Sequence, residues 1–181
     1  RALNDHPRIS SETKQRVQDL AQQLGYQVNS SAHAFNKGES KTIGVIVPDL
    51  SIHFFAKVVR GIQTVLDQHG YCTLLFDTSE KMESEANAVS KCIAHRVDGV
   101  LAAISMETTS FEHFLKLSKH EVPLVFYDRV ANFIPVPKVI SNDYQAAFDA
   151  TMHLINSGCT QIAHITASIN LNNSNNRLYG Y

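Results

Sequence analysis

The stretch 42-TIGVIVPD-49 decides the fold of this chain, because it is a β-branched apolar run that ends in Pro48 and Asp49. Beyond it, strand-like and helix-like segments alternate. The sequence predicts further strands at 71–77, 98–105, 122–128, 138–141 and 161–166, and helices at 54–69, 84–96, 109–119 and 143–158. Nearly continuous apolar strands separated by helices indicate a parallel sheet covered on both faces. With right-handed crossovers, the sequence therefore predicts a doubly wound α/β fold.

Upstream of this layer, the sequence predicts one amphipathic helix over residues 9–24. Ser10 can cap its start and Gly25 follows its end. Its apolar residues recur on one face at helical spacing, at Val17, Leu20, Ala21 and Leu24. A single helix cannot bury such a stripe, so we expect partner helices upstream of Arg1. The lack of an initial Met also indicates a fragment of a longer protein.

The composition fits a globular protein, with 44% apolar and 18% charged residues in a chain of 181. Charge is uneven along the chain: residues 1–41 hold six Lys and Arg against four Asp and Glu, whereas residues 42–181 hold ten against thirteen. A mildly basic head on an acidic body is compatible with a polyanionic partner for the head. No run approaches the ~20 apolar residues that span a membrane.

The sequence favours a binding protein over an enzyme. The phosphate-binding motifs G-x-G-x-x-G and G-x-x-x-x-G-K-[ST] are absent, as are the catalytic motifs G-x-S-x-G and H-E-x-x-H. The three cysteines lie far apart without metal-ligand spacing, which fits reduced thiols in a cytoplasm. We therefore predict no catalytic residues, no cofactor and no metal site.

Polar residues follow most of the predicted strands. In parallel sheets, ligands bind beyond the carboxyl ends of the strands, so these positions are candidates for a binding site. They are 49–55, 77–79, 105–107, 128–129 and 142–143. The alternative is that each Asp or Asn is a turn residue that caps the following helix. From the residues alone both interpretations stay open.

An ordered series of motifs resembles the LacI/GalR family of bacterial transcription regulators. The motifs are RALNDHPRISSETKQRVQDLAQQLGYQVN (1–29), SKTIGVIVPDLSIHFFAKVVRGI (40–62), RVDGVLAAIS (96–105), VPLVFYDRV (122–130), NDYQAAFDATMHLINSGCTQIAHIT (142–166) and RLYGY (177–181). Each motif alone is modest, but their order and spacing over nearly the whole chain are specific.

The resemblance implies three parts of the chain. Residues 1–29 would be the C-terminal remnant of a helix-turn-helix DNA-binding headpiece, and residues 30–41 a hinge helix or linker. Residues 42–181 would be an effector-binding core similar to periplasmic sugar-binding proteins, mainly its N-terminal subdomain. Most of the headpiece would then precede Arg1, and most of the second subdomain would follow Tyr181.

The resemblance also implies the DNA-contacting residues. They are Arg1, Asn4, Ser10, Thr13 and Asn29 in the headpiece remnant, and Ala32 and Phe35 in the hinge. Arg1 would reach a base edge, as a guanidinium pairs bidentately with guanine. Phe35 takes the place of a Leu that the family wedges into the minor groove. Helix capping is the alternative role for Ser10, Thr13 and Asn29, and packing on the core surface is the alternative for Phe35.

The resemblance implies an effector site formed by His53, Phe54, Phe55, Asp128, Arg129, Asp143 and Arg177. Aromatic faces suit the C–H surfaces of a sugar, and Asp and Arg suit its hydroxyls. Two departures from the family weaken the transfer of ligand identity. Ile52 and His53 replace a common Asn-Pro, and Asn142-Asp143 stands where Asp-Asn is usual.

Taken together, the resemblance implies a cytoplasmic, nucleoid-associated homodimer that represses transcription by binding operator DNA under the control of a sugar-like effector. One alternative is a solute-binding protein that serves transport or chemoreception, which would have no use for residues 1–40. Another is a sugar-phosphate or nucleoside enzyme on the same layered fold.

Overall fold

The structure is a computed structural model that describes residues 8–25 and 39–181. The chain divides into two compact units, residues 1–38 and residues 39–181.

The described part of the first unit is one helix, α1, which spans Ser11–Gln23. Ser10 caps it, since its Oγ accepts a hydrogen bond from the Thr13 backbone N–H at 3.3 Å. Gly25 follows with a φ of +59°, a value that favours glycine after a helix. Leu20 and Leu24 are 54% and 73% exposed. The predicted helix, its cap and its stop signal are confirmed.

The second unit is built on one five-stranded sheet. The strands are β1 Thr42–Val47, β2 Cys72–Asp77, β3 Gly99–Ala102, β4 Leu124–Tyr127 and β5 Lys138–Val139. Every pairing is parallel and the strand order is β2-β1-β3-β4-β5. The first strand lies inside the order rather than at an edge, so the chain winds outward in both directions. The predicted doubly wound fold is confirmed.

Helices connect and flank these strands. They are α2 His53–Gln68, α3 Met82–Ala94, α4 Glu112–Lys119, α5 Asp143–Asn156 and α6 Asn172–Gly180. The sequence predicted the first four, within a few residues at their ends, but not α6. In the described ranges, every helix is too short or too polar to cross a lipid bilayer.

Each face of the sheet carries its own apolar core. Val45 and Val47 of β1 pack with α2, whereas Ile46 between them belongs to the opposite core, which includes α3 and α4. This alternation follows from the two-residue period of a strand. Both cores are needed because β1 is buried on both faces, with Val45, Ile46 and Val47 all fully inaccessible.

The strand predicted at 161–166 is wrong for this structure. None of its residues joins the sheet, and the side chain of Ile165 is 97% exposed. Instead, the Tyr181 hydroxyl donates to the Ile162 carbonyl at 2.7 Å, and the Tyr181 ring stacks on His164. A strand requires a neighbouring strand for its ladder, and within residues 39–181 no further strand lies beside this segment.

Candidate functional site

The fold brings four of the predicted effector residues to the carboxyl edge of the sheet. Asp128 and Arg129 follow β4, Asp143 begins α5, and Arg177 lies in α6. The Arg177 Nε donates to Asp143 Oδ1 at 2.7 Å, and its Nη2 is also 2.7 Å from that oxygen. The Arg129 Nε lies 4.0 Å from Asp128 Oδ2. The two Asp-Arg pairs, one at 128 and 129 and the other at 143 and 177, are close enough in the fold to interact electrostatically.

Asp128 occupies an unusual electrostatic and conformational setting. Its φ of +57° lies in the left-handed region, which Asp tolerates better than most residues. Burial raises the pKa of its carboxyl, and the nearby Asp143 adds to this, while Arg129 and Arg177 partly oppose it. A poorly solvated carboxylate is a strong hydrogen-bond acceptor, so Asp128 is suited to accept from hydroxyl groups.

Two asparagines hold Asp128 in place, and sequence reasoning missed both. The Asn172 side chain accepts from the Val130 N–H at 2.7 Å and donates to the Asp128 carbonyl at 3.3 Å. Asn173, which is 7% exposed, gives a side-chain hydrogen bond to Asp128. Both lie in the first turn of α6, a helix that the sequence did not predict. Only the fold brings this helix to the loop after β4.

Arg129 has a partner that the sequence also did not reveal, Glu80. The Arg129 Nη1 lies 2.8 Å from both carboxylate oxygens of Glu80, and the two side chains are only 12% and 17% exposed. The guanidinium also lies 5.1 Å from the centre of the Phe55 ring. Arg129 is therefore held from two sides before any ligand binds.

The aromatic pair at the start of α2 is divided between surface and core. Phe54 is 49% exposed, whereas Phe55 is 2% exposed and packs with Val59 and Tyr127. The two rings meet edge to face at 5.2 Å between centroids. His53 is exposed as well. Phe54 and His53 are thus accessible to a ligand, whereas the buried ring of Phe55 packs against the Arg129 guanidinium.

Other polar residues at this edge act as turn and helix caps. Asp49 accepts from the Ser51 N–H at 2.7 Å, and hydrogen bonds from the side chain and then the backbone of Ser51 lower the pKa of its carboxyl. Asp77 accepts from the Leu50 N–H at 3.0 Å. Asn142 caps α5 through Gln145. Asn142 thus realises the capping alternative, whereas Asp49 and Asp77 are turn residues that accept from the backbone two residues on and cap no helix.

Two of the predicted DNA-contacting residues lie in the described part of the first unit. Ser10 and Thr13 lie at the start of α1, where their hydroxyl oxygens are 2.9 Å apart. Ser10 performs the capping role described above, and its contact with phosphate stays a prediction, as does that of Thr13. Arg1, Asn4, Asn29, Ala32 and Phe35 lie outside the described residues.

The cysteines are separate from this site. Cys92 is buried in the sheet core, where burial raises the pKa of its thiol to about 11 and makes the thiolate unavailable. Cys72 and Cys159 are exposed. In residues 8–25 and 39–181, no three His, Cys, Asp or Glu side chains come together in a way that suits a metal ion.

A family model and two curated proteins match most or all of this chain. The family model described as periplasmic binding proteins and sugar binding domain of LacI family matches residues 40–181. The ribose operon repressor of Halalkalibacterium halodurans is 32% identical over 181 residues, which cover 100% of this chain and 53% of that protein. Catabolite control protein A of Priestia megaterium is 30% identical over 169 residues, or 93% and 50% of the two chains.

A solved structure extends the comparison to the fold. The Cra transcriptional dual regulator of Pseudomonas putida, in complex with fructose 1-phosphate, superposes with a TM-score of 0.71 at 25% identity. The match covers 77% of this chain and 52% of that one. The chain thus spans about half the length of the relatives that it matches.

Proposed function

The chain belongs to the LacI family, with its periplasmic-binding-protein-like sugar-binding domain, and on this premise we propose that the whole protein is an effector-controlled transcription repressor. One observation carries the proposal: the similarity to a named operon repressor extends over all 181 residues, including residues 1–39 that precede the sugar-binding domain. A solute-binding protein shares the core but has no need of that segment.

We assign the parts of the chain accordingly. Residues 1–29 belong to the DNA-binding headpiece, residues 30–41 to the hinge, and residues 42–181 to the effector-binding core. The protein acts as a homodimer in the cytoplasm, where each subunit places a headpiece on one half of an operator. Effector binding changes how the two cores face each other, which sets whether the paired hinges can fold on DNA.

The effector is a sugar or related polyol. Asp128 and Asp143 supply acceptors for hydroxyl groups, and Arg129 and Arg177 supply donors beside them. The exposed ring of Phe54 offers an apolar face for the C–H side of a sugar, with His53 adjacent. The chemistry of these side chains supports ligand binding rather than covalent catalysis.

The hinge supplies the link to DNA. Phe35 would enter the minor groove at the operator centre, beside Ala32, while Arg1, Asn4, Ser10, Thr13 and Asn29 contact the flanking operator. Side chains that wedge between base steps kink the duplex, so the bulk of Phe35 is expected to influence the kink. The alternative for Phe35 is packing against the core surface.

The test uses the full-length protein and a pair of variants that separate the two sites. With a palindromic operator, Phe35→Ala should lower operator affinity at least ten-fold by removing the wedge, while sugar-induced thermal stabilisation is unchanged. Phe54→Ala should do the reverse, because it removes only the sugar-stacking face. Operator affinity is measured by fluorescence anisotropy at fixed salt, and sugar binding by the melting temperature.

The repressor assignment would be contradicted by DNA binding that shows no sequence preference and weakens steeply with salt, both with and without sugars. Sugar binding without any operator preference would favour the solute-binding alternative. Equal operator affinity of wild type and Phe35→Ala would place Phe35 on the core instead of in the groove.

A further inference from the structure

Glu80 occupies a fixed position at the carboxyl edge of the sheet. Its backbone N–H donates to the Pro48 carbonyl at 2.8 Å, and its φ of +62° turns the chain sharply there. Its carboxylate accepts from the Met106 N–H at 2.7 Å. Glu80 thus joins the loops after β1, β2 and β3, and these backbone contacts orient its side chain toward Arg129.

Glu80 and Arg129 form an ion pair, so the charge of the Arg129 guanidinium is neutralised before a ligand binds. Its Nη1 lies 2.8 Å from both Glu80 oxygens, and its Nε lies 4.0 Å from Asp128. Arg177 is likewise paired with Asp143 at 2.7 Å. When ionised, this group of five side chains holds three carboxylates and two guanidiniums, which is a net charge of −1 (three negative, two positive).

This charge arrangement discriminates between two classes of polyol. A phosphate group carries roughly −1.5 to −2 charges at neutral pH and is bound best by a guanidinium that is free for two hydrogen bonds. Here a phosphate would compete with Glu80 for the Arg129 Nη1 and would face Asp128 and Asp143, which repel it. An uncharged polyol needs only hydrogen bonds with these carboxylates and leaves the ion pairs intact.

We propose that Glu80 is a specificity-determining residue: by holding Arg129, it makes the effector site select uncharged polyhydroxy compounds and reject their phosphorylated forms. This inference rests on the proposed effector site at the sheet edge. It goes beyond the proposed function because it names the ligand class and the residue that sets it.

The first measurement uses full-length wild-type protein without DNA. Its melting temperature is recorded with matched probes that differ only in the phosphate: ribose and ribose 5-phosphate, fructose and fructose 1-phosphate, and inorganic phosphate alone. We expect stabilisation by an uncharged member, binding at least ten-fold weaker for its phosphate ester, and no effect of inorganic phosphate. Tighter binding of a phosphate ester than of its uncharged counterpart would overturn the inference.

The second measurement removes the negative charge of Glu80, which we propose holds Arg129. Glu80→Gln keeps the side-chain shape but removes the charge that neutralises Arg129, so the variant should gain stabilisation by inorganic phosphate and bind the phosphate ester at least ten-fold more tightly than wild type does. The matched control is Glu107→Gln, which removes the same charge from an exposed residue in the neighbouring loop. Glu80→Asp keeps the charge and should still reject phosphate.

Each outcome is informative. If Glu80→Gln gains no response to phosphate, or if Glu107→Gln gains as much, the assignment to Glu80 is wrong. If Glu80→Gln does not fold, the wild-type probe pairs still test the inference, because a phosphate ester that binds more tightly than its uncharged counterpart would overturn it. Because no DNA is present, these results are independent of operator binding: a protein that rejects phosphate esters yet ignores operators would overturn the repressor proposal alone.

Discussion

Two regions of the second unit differ in how they bury apolar side chains. The sheet region, residues 39–139, contains every buried apolar side chain of the described residues except Leu171. The paired-helix region, residues 142–181, contains α5 and α6, and it leaves Phe148 42%, Ile155 48% and Tyr179 73% exposed. Because buried apolar area is the main favourable term in folding, the sheet region should dominate the stability of this unit.

The regions also differ in their polar groups. In the sheet region, the fully buried carboxylate of Glu85 accepts from the Ser105 N–H at 2.7 Å and the Thr108 hydroxyl at 2.8 Å, and lies 2.8 Å from His113 Nε2. In the paired-helix region, polar pairs such as Gln145 with Asp149 lie on the surface. The contacts of Glu85 are therefore costly to break, whereas that of Gln145 with Asp149 is screened by water.

The largest predicted effect tests the apolar half of this comparison. Phe114→Ala should lower the free energy of unfolding by about 3–5 kcal/mol, because Phe114 is 1% exposed and its ring meets Phe126 edge to face at 5.0 Å. Phe148→Ala, the same change in the paired-helix region, should cost less than about 1 kcal/mol. Urea denaturation measures both. Similar losses for the two variants would show that α5 is as well buried as the sheet core.

A second, smaller effect tests the polar half. Glu85→Ala should destabilise by about 3 kcal/mol, since it leaves the Ser105 N–H, the Thr108 hydroxyl and His113 buried without their acceptor. Gln145→Ala removes an exposed hydrogen bond to Asp149 and should cost below about 0.5 kcal/mol. The same denaturation experiment applies, and a loss under about 1 kcal/mol for Glu85→Ala would show that water replaces the carboxylate.

The smallest effect concerns Asp128, which lies where the two regions meet. Burial raises the pKa of the Asp128 carboxyl in the folded state above its ordinary value of 3.8. As pH rises past 3.8, the unfolded protein therefore loses this proton before the folded protein does. The free energy of unfolding therefore falls as pH rises through that interval. Asp128→Asn removes this contribution and should raise stability at neutral pH by less than about 1 kcal/mol.

The check on Asp128 is unfolding at acidic and at neutral pH. The difference between wild type and variant should appear only above the ordinary Asp range, since both side chains are uncharged at lower pH. A variant that is less stable at neutral pH would show that the hydrogen bond with Asn173 and the attraction to Arg129 outweigh the cost of burying the charge.

The sequence predicted the sheet region better than the paired-helix region, for a physical reason. Strands such as β1 are buried on both faces, so their apolar runs are long and hard to misread. The segment at 161–166, QIAHIT, also carries apolar residues, but without a neighbouring strand it forms no ladder. A strand needs hydrogen bonds to a neighbouring strand, and the residues of an apolar run do not by themselves show whether such a neighbour exists.

In the candidate site, too, the sequence predicted some residues and missed others. Asp128, Arg129, Asp143 and Arg177 were predicted through family motifs, and the structure brings them together. Glu80, Asn172 and Asn173 were not found, because each lies in a polar stretch that reads locally as a turn. Their roles depend on partners at least forty residues away in the sequence.

The sequence by itself determined the alternation of strands and helices, the parallel doubly wound sheet and the family, since these follow from local apolar periodicity and ordered motifs. Only the tertiary structure decided which charges meet at the sheet edge: that Glu80 holds Arg129, that Phe55 lies beneath the guanidinium, and that Asn172 and Asn173 secure Asp128. The physical reason is that charge and hydrogen-bond partners act over a few ångströms in space, whatever their distance along the chain.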